Sequence, residues 1–245
     1  MLEVLSVSLI AGLATGLGAI PVIIFKNIPH RVYDALLGFA AGIMLAAATF
    51  SLILPALREG GIMPVITGII LSALFIFLVE KAIPHLHPHF SSNGDEKGLS
   101  MRRGILMAAA IAIHNFPEGL SVGVGFGSGK DNLGLILAIA IAIHNIPEGL
   151  AVAAPLRKAG LSRTKSLIIT ALSGLVEPVA AIIGISLMSI SQAILPFGLA
   201  FAGGAMIYVV SDELIPECHS HGHETEATFG VIAGFLAMIL IEYLL

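Results

Sequence analysis

Long stretches without charged residues decide what this chain can fold into. The run Leu167–Ser211 is 45 residues long, and Glu177 is its only charged residue. As one helix it would measure roughly 68 Å at 1.5 Å per residue, more than twice the hydrocarbon thickness of a bilayer. We therefore predict two helices here, separated near Ser189–Gln192, with Pro196 just beyond the break.

Six further runs reach the length of about 20 apolar residues that a spanning helix needs. Three contain no charged residue, two carry one His and one Glu each, and the last carries a single Glu near its end. These runs are Val4–Phe25, Ala35–Leu57, Ile62–Val79, Ile105–Phe126, Leu133–Leu156 and Ala227–Leu245. The pattern predicts an all-α integral membrane protein with eight transmembrane helices, forming a single polytopic domain over residues 1–245.

The composition agrees with this class. Hydrophobic residues make up 57% of the chain and charged residues 11%, whereas a soluble protein carries about 25% charged residues. The single cysteine, Cys218, excludes an internal disulfide and a zinc finger with several cysteines. Neither the net charge of −4 nor any basic patch indicates nucleic-acid binding.

The basic residues give the orientation of the helices. Two of the 12 Lys and Arg residues, Arg58 and Lys130, fall on one side of the predicted bundle. The other ten lie in or beside the loops after helices one, three and five. Because basic loops stay in the cytosol, these odd-to-even loops are predicted to be cytosolic and both termini extracytoplasmic. A polar cytosolic loop at about 85–103 contains several histidines.

A nine-residue motif occurs twice in the middle of predicted helices. Residues 112–120 read AIHNFPEGL and residues 142–150 read AIHNIPEGL, so eight of nine positions are identical at an offset of 30 residues. In each copy the His and the Glu are four residues apart and therefore share one helix face. The Asn lies three residues before the Glu and can join the same site.

Ionisable groups at this depth are costly unless they are paired, hydrated or bound to metal. Imidazole, carboxylate and amide oxygens suit divalent ions such as Zn²⁺, Fe²⁺ and Mn²⁺. The candidate ligands from the two copies are His114, Asn115, Glu118, His144, Asn145 and Glu148. They exceed the needs of one tetrahedral Zn²⁺, which favours two adjacent sites that share glutamates. Metal entry would displace protons and make the site sensitive to pH.

Two residues outside the motif join the candidates. Glu177 is the only charged residue in predicted helix six and is followed by Pro178, which adds a third buried carboxylate. Met44, in the middle of helix two, is either a soft ligand or ordinary core packing. A single His could serve only to hydrogen-bond neighbouring helices, but two identical copies plus Glu177 carry more negative charge than that role requires.

Further metal-binding residue types lie at the predicted cytosolic edge. His85 and His87 follow helix three, and Asp212 and Glu213 lie at the end of helix seven as possible exit-path ligands. The stretch 217–224, ECHSHGHE, also attracts metals. Its spacing defines no closed site, so it is either a weak acceptor for ions or a solvated loop.

The double motif resembles helices four and five of the ZIP (Zrt/Irt-like) metal transporters, most closely the prokaryotic GufA-like branch. Residues 38–44 in helix two, Glu177–Pro178 in helix six and residues 212–217 in helix seven fit the same family, so the resemblance covers nearly the whole chain. It implies eight helices with both ends outside, a homodimer, and a site of two metal ions midway along the path.

The resemblance also implies how the ligands divide between the two ions. His114, Glu118 and Glu148 would form the main site with Met44 nearby. Asn115, Asn145, Glu148 and Glu177 would form the neighbouring one, and His144 occupies a position that varies within the family.

We hypothesise a multi-pass carrier of the cell (inner) membrane that moves divalent transition metals, Zn²⁺ first and also Fe²⁺, Mn²⁺ or Cd²⁺, into the cytosol. The metal is the substrate, no cofactor is expected, and the chain is not expected to be an enzyme. Two alternatives stay open at this point. A membrane-embedded metallohydrolase could use the same ligands, although the His-Glu-x-x-His pattern is absent. A sensor could bind metal without moving it.

Overall fold

The computed structural model describes residues 1–25, 28–82, 96–130 and 132–245. Within these ranges all regular structure is helical. The helices, in chain order, are α1 (Leu2–Ile24), α2 (His30–Gly60), α3 (Ile62–Ala82), α4 (Glu96–Gly127), α5 (Leu133–Lys158), α6 (Arg163–Ile190), α7 (Leu195–Cys218) and α8 (Glu224–Leu244). Over the described residues, all of these except α4 contain a stretch long and apolar enough to cross a membrane, seven in total.

The boundaries follow the apolar runs with one informative difference. The long run is divided between Ile190 and Leu195, where the sequence predicted a break. Helix α2, however, begins at His30 rather than at Ala35. The polar residues that precede the apolar run are also helical. This extension brings Asp34 inside the helix, where its side chain is fully buried.

Two helices contain a wider π-helical turn. It covers Ala47–Ile53 in α2 and Val210–Leu214 in α7, and a proline follows in each case, Pro55 and Pro216. Because proline lacks an N–H and crowds the carbonyl four residues earlier, a local widening lets the helix continue through it. Such turns are frequent at functional sites, and the one in α7 holds Asp212 and Glu213.

Helices α1, α4, α5 and α6 pack against one another, while α2 packs on α8 and α3 on α7. Close packing depends on glycine. A Cβ on Gly42 of α2 would lie 2.0 Å from the carbonyl oxygen of Val231 in α8, and one on Gly234 would lie 2.0 Å from that of Phe39. Small residues allow membrane helices to approach this closely.

Helix α5 lies at the centre of the bundle. In its apolar stretch 72% of the residues are buried, against 22% in α3 and in α8, whose apolar side chains face outward. An outward apolar surface is what contact with lipid requires.

Contacts between helix termini define the two ends of the bundle. At the Leu245 end, Lys130 Nζ lies 2.6 Å from Glu59 Oε1, and Asn132 donates a hydrogen bond to the Leu245 carbonyl. At the His221 end, Arg31 Nε lies 2.6 Å from Glu226 Oε1. The chain runs back and forth between these ends.

Candidate metal centre

Both motif copies lie well inside long helices, in α4 and α5, and each carries its proline within the helix. All of the polar side chains of the two copies are buried. His114 is 2% exposed, and the other five, Asn115, Glu118, His144, Asn145 and Glu148, are 0% exposed. The copies therefore place six polar groups in the interior of an apolar bundle.

Three of these side chains form a compact cluster between α4 and α5. Ligand atoms of Glu118, His144 and Glu148 all lie within 4.8 Å of one another. His144 Nε2 is 3.0 Å from Glu118 Oε1. His144 and Glu148 share one face of α5 through their i, i+4 spacing, and Glu118 faces them from α4. We call these three residues the buried triad.

The two asparagines are held by their amide nitrogens. Asn115 Nδ2 donates to the Ser173 carbonyl at 3.0 Å, and Asn145 Nδ2 donates to the Ala11 carbonyl at 2.9 Å. Each amide oxygen is buried and has no hydrogen-bond partner among the described residues. This orientation leaves an oxygen ligand available on both residues.

Glu177 enters the site from α6, next to an interruption of that helix at Gly174–Leu175. Its Oε1 accepts a hydrogen bond from Asn145 Nδ2 at 2.6 Å. The glycine of the first motif copy makes the approach possible, since a Cβ on Gly119 would lie 2.2 Å from the Glu177 carbonyl oxygen. In the second copy, a Cβ on Gly149 would lie 1.8 Å from the Thr15 carbonyl oxygen of α1.

His114 makes a different contact from the one that its motif spacing suggests. Its Nε2 lies 2.9 Å from Glu213 Oε1 of α7 rather than within the buried triad. Glu213 is partly exposed, at 22% of its side chain, so this pair connects the buried site to the region beyond it.

The remaining predicted ligands lie outside the buried triad or outside the described residues. Met44 is fully buried in α2, and Asp212 is exposed on α7. His85 and His87 lie outside the described residues.

The charges of the site are unbalanced. Four of the buried residues that the structure describes carry carboxylates, Glu118, Glu148 and Glu177 at this site and Asp34 apart from it, and none is a Lys or Arg. Both oxygens of Glu148 and one oxygen of Glu177 have no hydrogen-bond partner within the described part of the chain. Unpaired buried charge is strongly unfavourable, so the site requires cations, either protons or metal ions. Its mixed nitrogen and oxygen ligands suit Zn²⁺ and similar divalent ions.

Sequence reasoning missed two contributors to this site. The carbonyls of Ala11 and Ser173 orient the asparagines, and main-chain acceptors leave no trace in residue identity. It also missed a buried acid outside this site, Asp34, which lies just before the apolar run predicted as helix two. An acid beside such a run was the available signal.

Comparison with known proteins agrees with the motif. The family described as ZIP Zinc transporter matches residues 91–242. Zinc transporter GufA of Myxococcus xanthus is 40% identical over 96% of each chain. Zinc transporter ZIPB of Bordetella bronchiseptica is 42% identical over 94% of this chain and 77% of its own length. Zinc transporter ZupT of Chlorobaculum parvum is 38% identical over 95% of this chain and 94% of its own length.

A helical membrane protein with a buried cluster of glutamates and histidines is the class that the fold and the site define. The chain belongs to the ZIP family, in its prokaryotic GufA-like branch. It is a multi-pass protein of the cell (inner) membrane, in agreement with its seven candidate membrane helices and its bacterial relatives named as zinc transporters. Those relatives are named as transporters rather than enzymes, in agreement with the prediction for this chain.

Proposed function

We propose that this chain transports divalent transition-metal ions, Zn²⁺ first, across the membrane into the cytosol. The observation that carries the proposal is the buried triad, whose ligand atoms lie within 4.8 Å of one another in an apolar bundle. The relatives at 40% and 42% identity are named zinc transporters, and this chain retains both complete motif copies.

The site holds two ions in this proposal. The buried triad takes one, and the amide oxygens of Asn115 and Asn145 with Glu177 take the other, beside it. The free buried oxygens on these residues support the second ion. Because Glu148 keeps both of its oxygens free, it can bridge the two positions. Mixed nitrogen and oxygen ligands also accept Fe²⁺, Mn²⁺ and Cd²⁺.

Ions leave the site by way of His114 and Glu213 in this proposal. The 2.9 Å contact between these residues joins a buried histidine to a partly exposed carboxylate. Glu213 lies on the π-helical turn of α7, on the side of the site toward the His221 end. Asp212, exposed beside it, offers a further ligand. His85 and His87, in the loop that the sequence predicts to be cytosolic, are proposed to receive ions.

The proposed topology has eight spanning helices, with both termini outside and the His221 end in the cytosol. Ten of the 12 Lys and Arg residues support it, because the sequence assigns them to the loops predicted to be cytosolic, and one of them, Arg31, pairs with Glu226 at the His221 end. Family resemblance supports a homodimer. Cross-linking of the protein in native membranes tests the dimer, and labelling of single cysteines introduced at residues 1 and 245 tests the position of the termini.

Uptake into proteoliposomes tests transport directly. Zn²⁺ is supplied outside, a fluorescent chelator is trapped inside, and wild type is compared with the Glu118→Ala, Glu148→Ala double variant. Glu59→Gln is the matched control, because it removes a carboxylate at the Leu245 end, outside the candidate site. We expect uptake by wild type and by the control, and none by the double variant.

Three results would contradict the proposal. Saturable Zn²⁺ binding without uptake by wild type would favour a sensor. Metal-dependent turnover of peptide or lipid, lost in the double variant, would favour a hydrolase. Equal uptake by all three proteins would show that the motif is not the transport site.

A further inference from the structure

A second cluster of metal-binding side chains lies at the His221 end, apart from the buried triad. It is formed by Asp34 from α2, Glu217 from the end of α7, and His221 from the following loop. Glu217 follows Glu213 by four residues, which is about one helical turn. The cluster therefore lies just beyond the last contact of the buried site.

Asp34 fixes the orientation of His221. Asp34 Oδ1 is 2.8 Å from His221 Nδ1, and because a carboxylate only accepts, Nδ1 carries the hydrogen. Nε2 is the nitrogen left for a metal ion, since Ser220 Oγ, 3.4 Å away, donates its own hydrogen to the Glu217 carbonyl. A carboxylate that holds the far nitrogen of a histidine is the usual support of a metal-binding imidazole.

The second oxygen of the Asp34 carboxylate makes no hydrogen bond to the described residues that would explain its burial. Its side chain is 0% exposed, and Oδ2 has no hydrogen-bond partner among the residues that the structure describes. The nearby Arg31 is paired with Glu226 instead. Excess negative charge is thus buried beside the imidazole.

The second ring nitrogen of His221 also faces a carboxylate. Nε2 lies 4.0 Å from Glu217 Oε1, and the side chain of His221 remains 26% exposed. Two metal–ligand bonds of about 2.1 Å span up to about 4.2 Å, so one ion fits between these atoms with small side-chain movements. Tyr33 donates to the same Glu217 oxygen at 3.5 Å, and His30 stacks on His221 with ring centroids 4.4 Å apart. These neighbours hold both groups in place.

We propose that Glu217 and His221 bind one divalent transition-metal ion at the His221 end, with Asp34 as the positioning residue for His221. Two protein ligands leave the other coordination positions to water, so the ion exchanges readily. As a resting position between Glu213 and the cytosol, the site deepens the proposed transport function and rests on it. The binding itself does not depend on transport.

Metal titration of the full-length protein in detergent tests the site. Zn²⁺ is titrated by calorimetry into the Glu118→Gln, Glu148→Gln background, which removes two carboxylates of the buried triad, and Co²⁺ absorption reports the ligand environment. His221→Ala and Glu217→Gln are each added to this background and should each lose one metal equivalent per chain. The matched control is His223→Ala, two residues further along the same loop, which should keep that equivalent.

The positioning role of Asp34 has its own readout. Asp34→Asn should weaken this equivalent by about 10- to 100-fold, the usual cost of losing such a support, while the Co²⁺ spectrum of the saturated site is retained. His221→Gln keeps a polar side chain and is measured as well, in case the alanine variant misfolds. A single symmetric gel-filtration peak identifies folded protein. An unchanged affinity in Asp34→Asn would overturn the positioning role.

An equal metal count in the background, His221→Ala and His221→Gln proteins would overturn the site. Proteoliposome uptake separates this result from failure of the transport proposal. If wild type takes up Zn²⁺ but His221→Ala loses no metal equivalent, only the proposed second site is contradicted. If His221→Ala loses one equivalent but wild type takes up no Zn²⁺, only the transport proposal is contradicted.

Discussion

The two motif copies have nearly the same sequence but different neighbours. On α4, His114 turns to Glu213 of α7, with Nε2 2.9 Å from the carboxylate. On α5, His144 turns to Glu118 of the other copy, at 3.0 Å. The central position of α5 explains the difference, since it packs against α1, α4 and α2, whereas α4 also contacts α7.

The asparagines diverge in the same way. Asn115 has one acceptor for its amide nitrogen, the Ser173 carbonyl, while Asn145 has two, the Ala11 carbonyl and Glu177 Oε1. A duplicated sequence thus supplies the same residue types twice, and packing gives the copies different neighbours. The α5 copy supplies two residues of the buried triad, and the α4 copy supplies one and also contacts α7 through His114.

The glutamates are the positions at which the copies should remain equivalent. Glu118→Gln and Glu148→Gln each keep the side-chain shape but remove a charge from the buried triad. Loss of a supporting residue commonly costs 10- to 100-fold in metal affinity, so loss of a direct ligand should lower Zn²⁺ uptake by more than about 100-fold. Proteoliposome uptake measures this for both variants, with Glu59→Gln as the control. If only one variant fails, the copies differ even in their ligands.

The histidines should separate the two tasks. His144→Ala removes a direct ligand of the buried triad and should weaken Zn²⁺ binding by more than about 100-fold in detergent. His114→Ala removes the contact with Glu213 and should lower the uptake rate about tenfold, with a smaller loss of affinity. Calorimetry and uptake are measured on the same preparations. A larger loss of affinity in His114→Ala would assign the central role to the α4 copy instead.

Much of this arrangement is visible in the sequence, because apolar length and motif spacing are local properties. The break between Ile190 and Leu195 was predicted from the length of one run, and the residues of the buried triad were all among the predicted ligands. Burial of charge at membrane depth is so costly that ionisable residues in these runs already indicate a site.

Which ligands lie close to one another could not be predicted from the sequence in the same way. The resemblance grouped His114 with Glu118 and Glu148, whereas the structure groups His144 with these glutamates and pairs His114 with Glu213. Which face of α4 meets α7 depends on side-chain packing across helices far apart in the chain. Asp34 was missed because the predicted helix began one residue after it.

Substitution of the two asparagines should lower the stability of the protein by different amounts. Asn145→Ala breaks bonds to a carbonyl and to a carboxylate, and should destabilise the protein by about 1.5–3 kcal/mol. Asn115→Ala breaks one bond to a carbonyl and should cost about 0.5–1.5 kcal/mol. Thermal unfolding in detergent, without added metal, compares the two variants. Equal losses would mean that the contact between Asn145 and Glu177 contributes little to stability.

The smallest effect on stability should come from the ion pair in the segment that joins the two motif copies. Lys130, between α4 and α5, pairs with Glu59 at the end of α2 at 2.6 Å, and about a third of each side chain is exposed. Exposed ion pairs contribute about 0–1 kcal/mol because water and salt screen them. A double-mutant cycle with Glu59→Gln and Lys130→Gln, followed by thermal unfolding, should give a coupling energy within that range that falls as salt is raised. A coupling above about 2 kcal/mol that is insensitive to salt would instead mean that this connection, and not the interior packing, holds the two copies in their unequal positions.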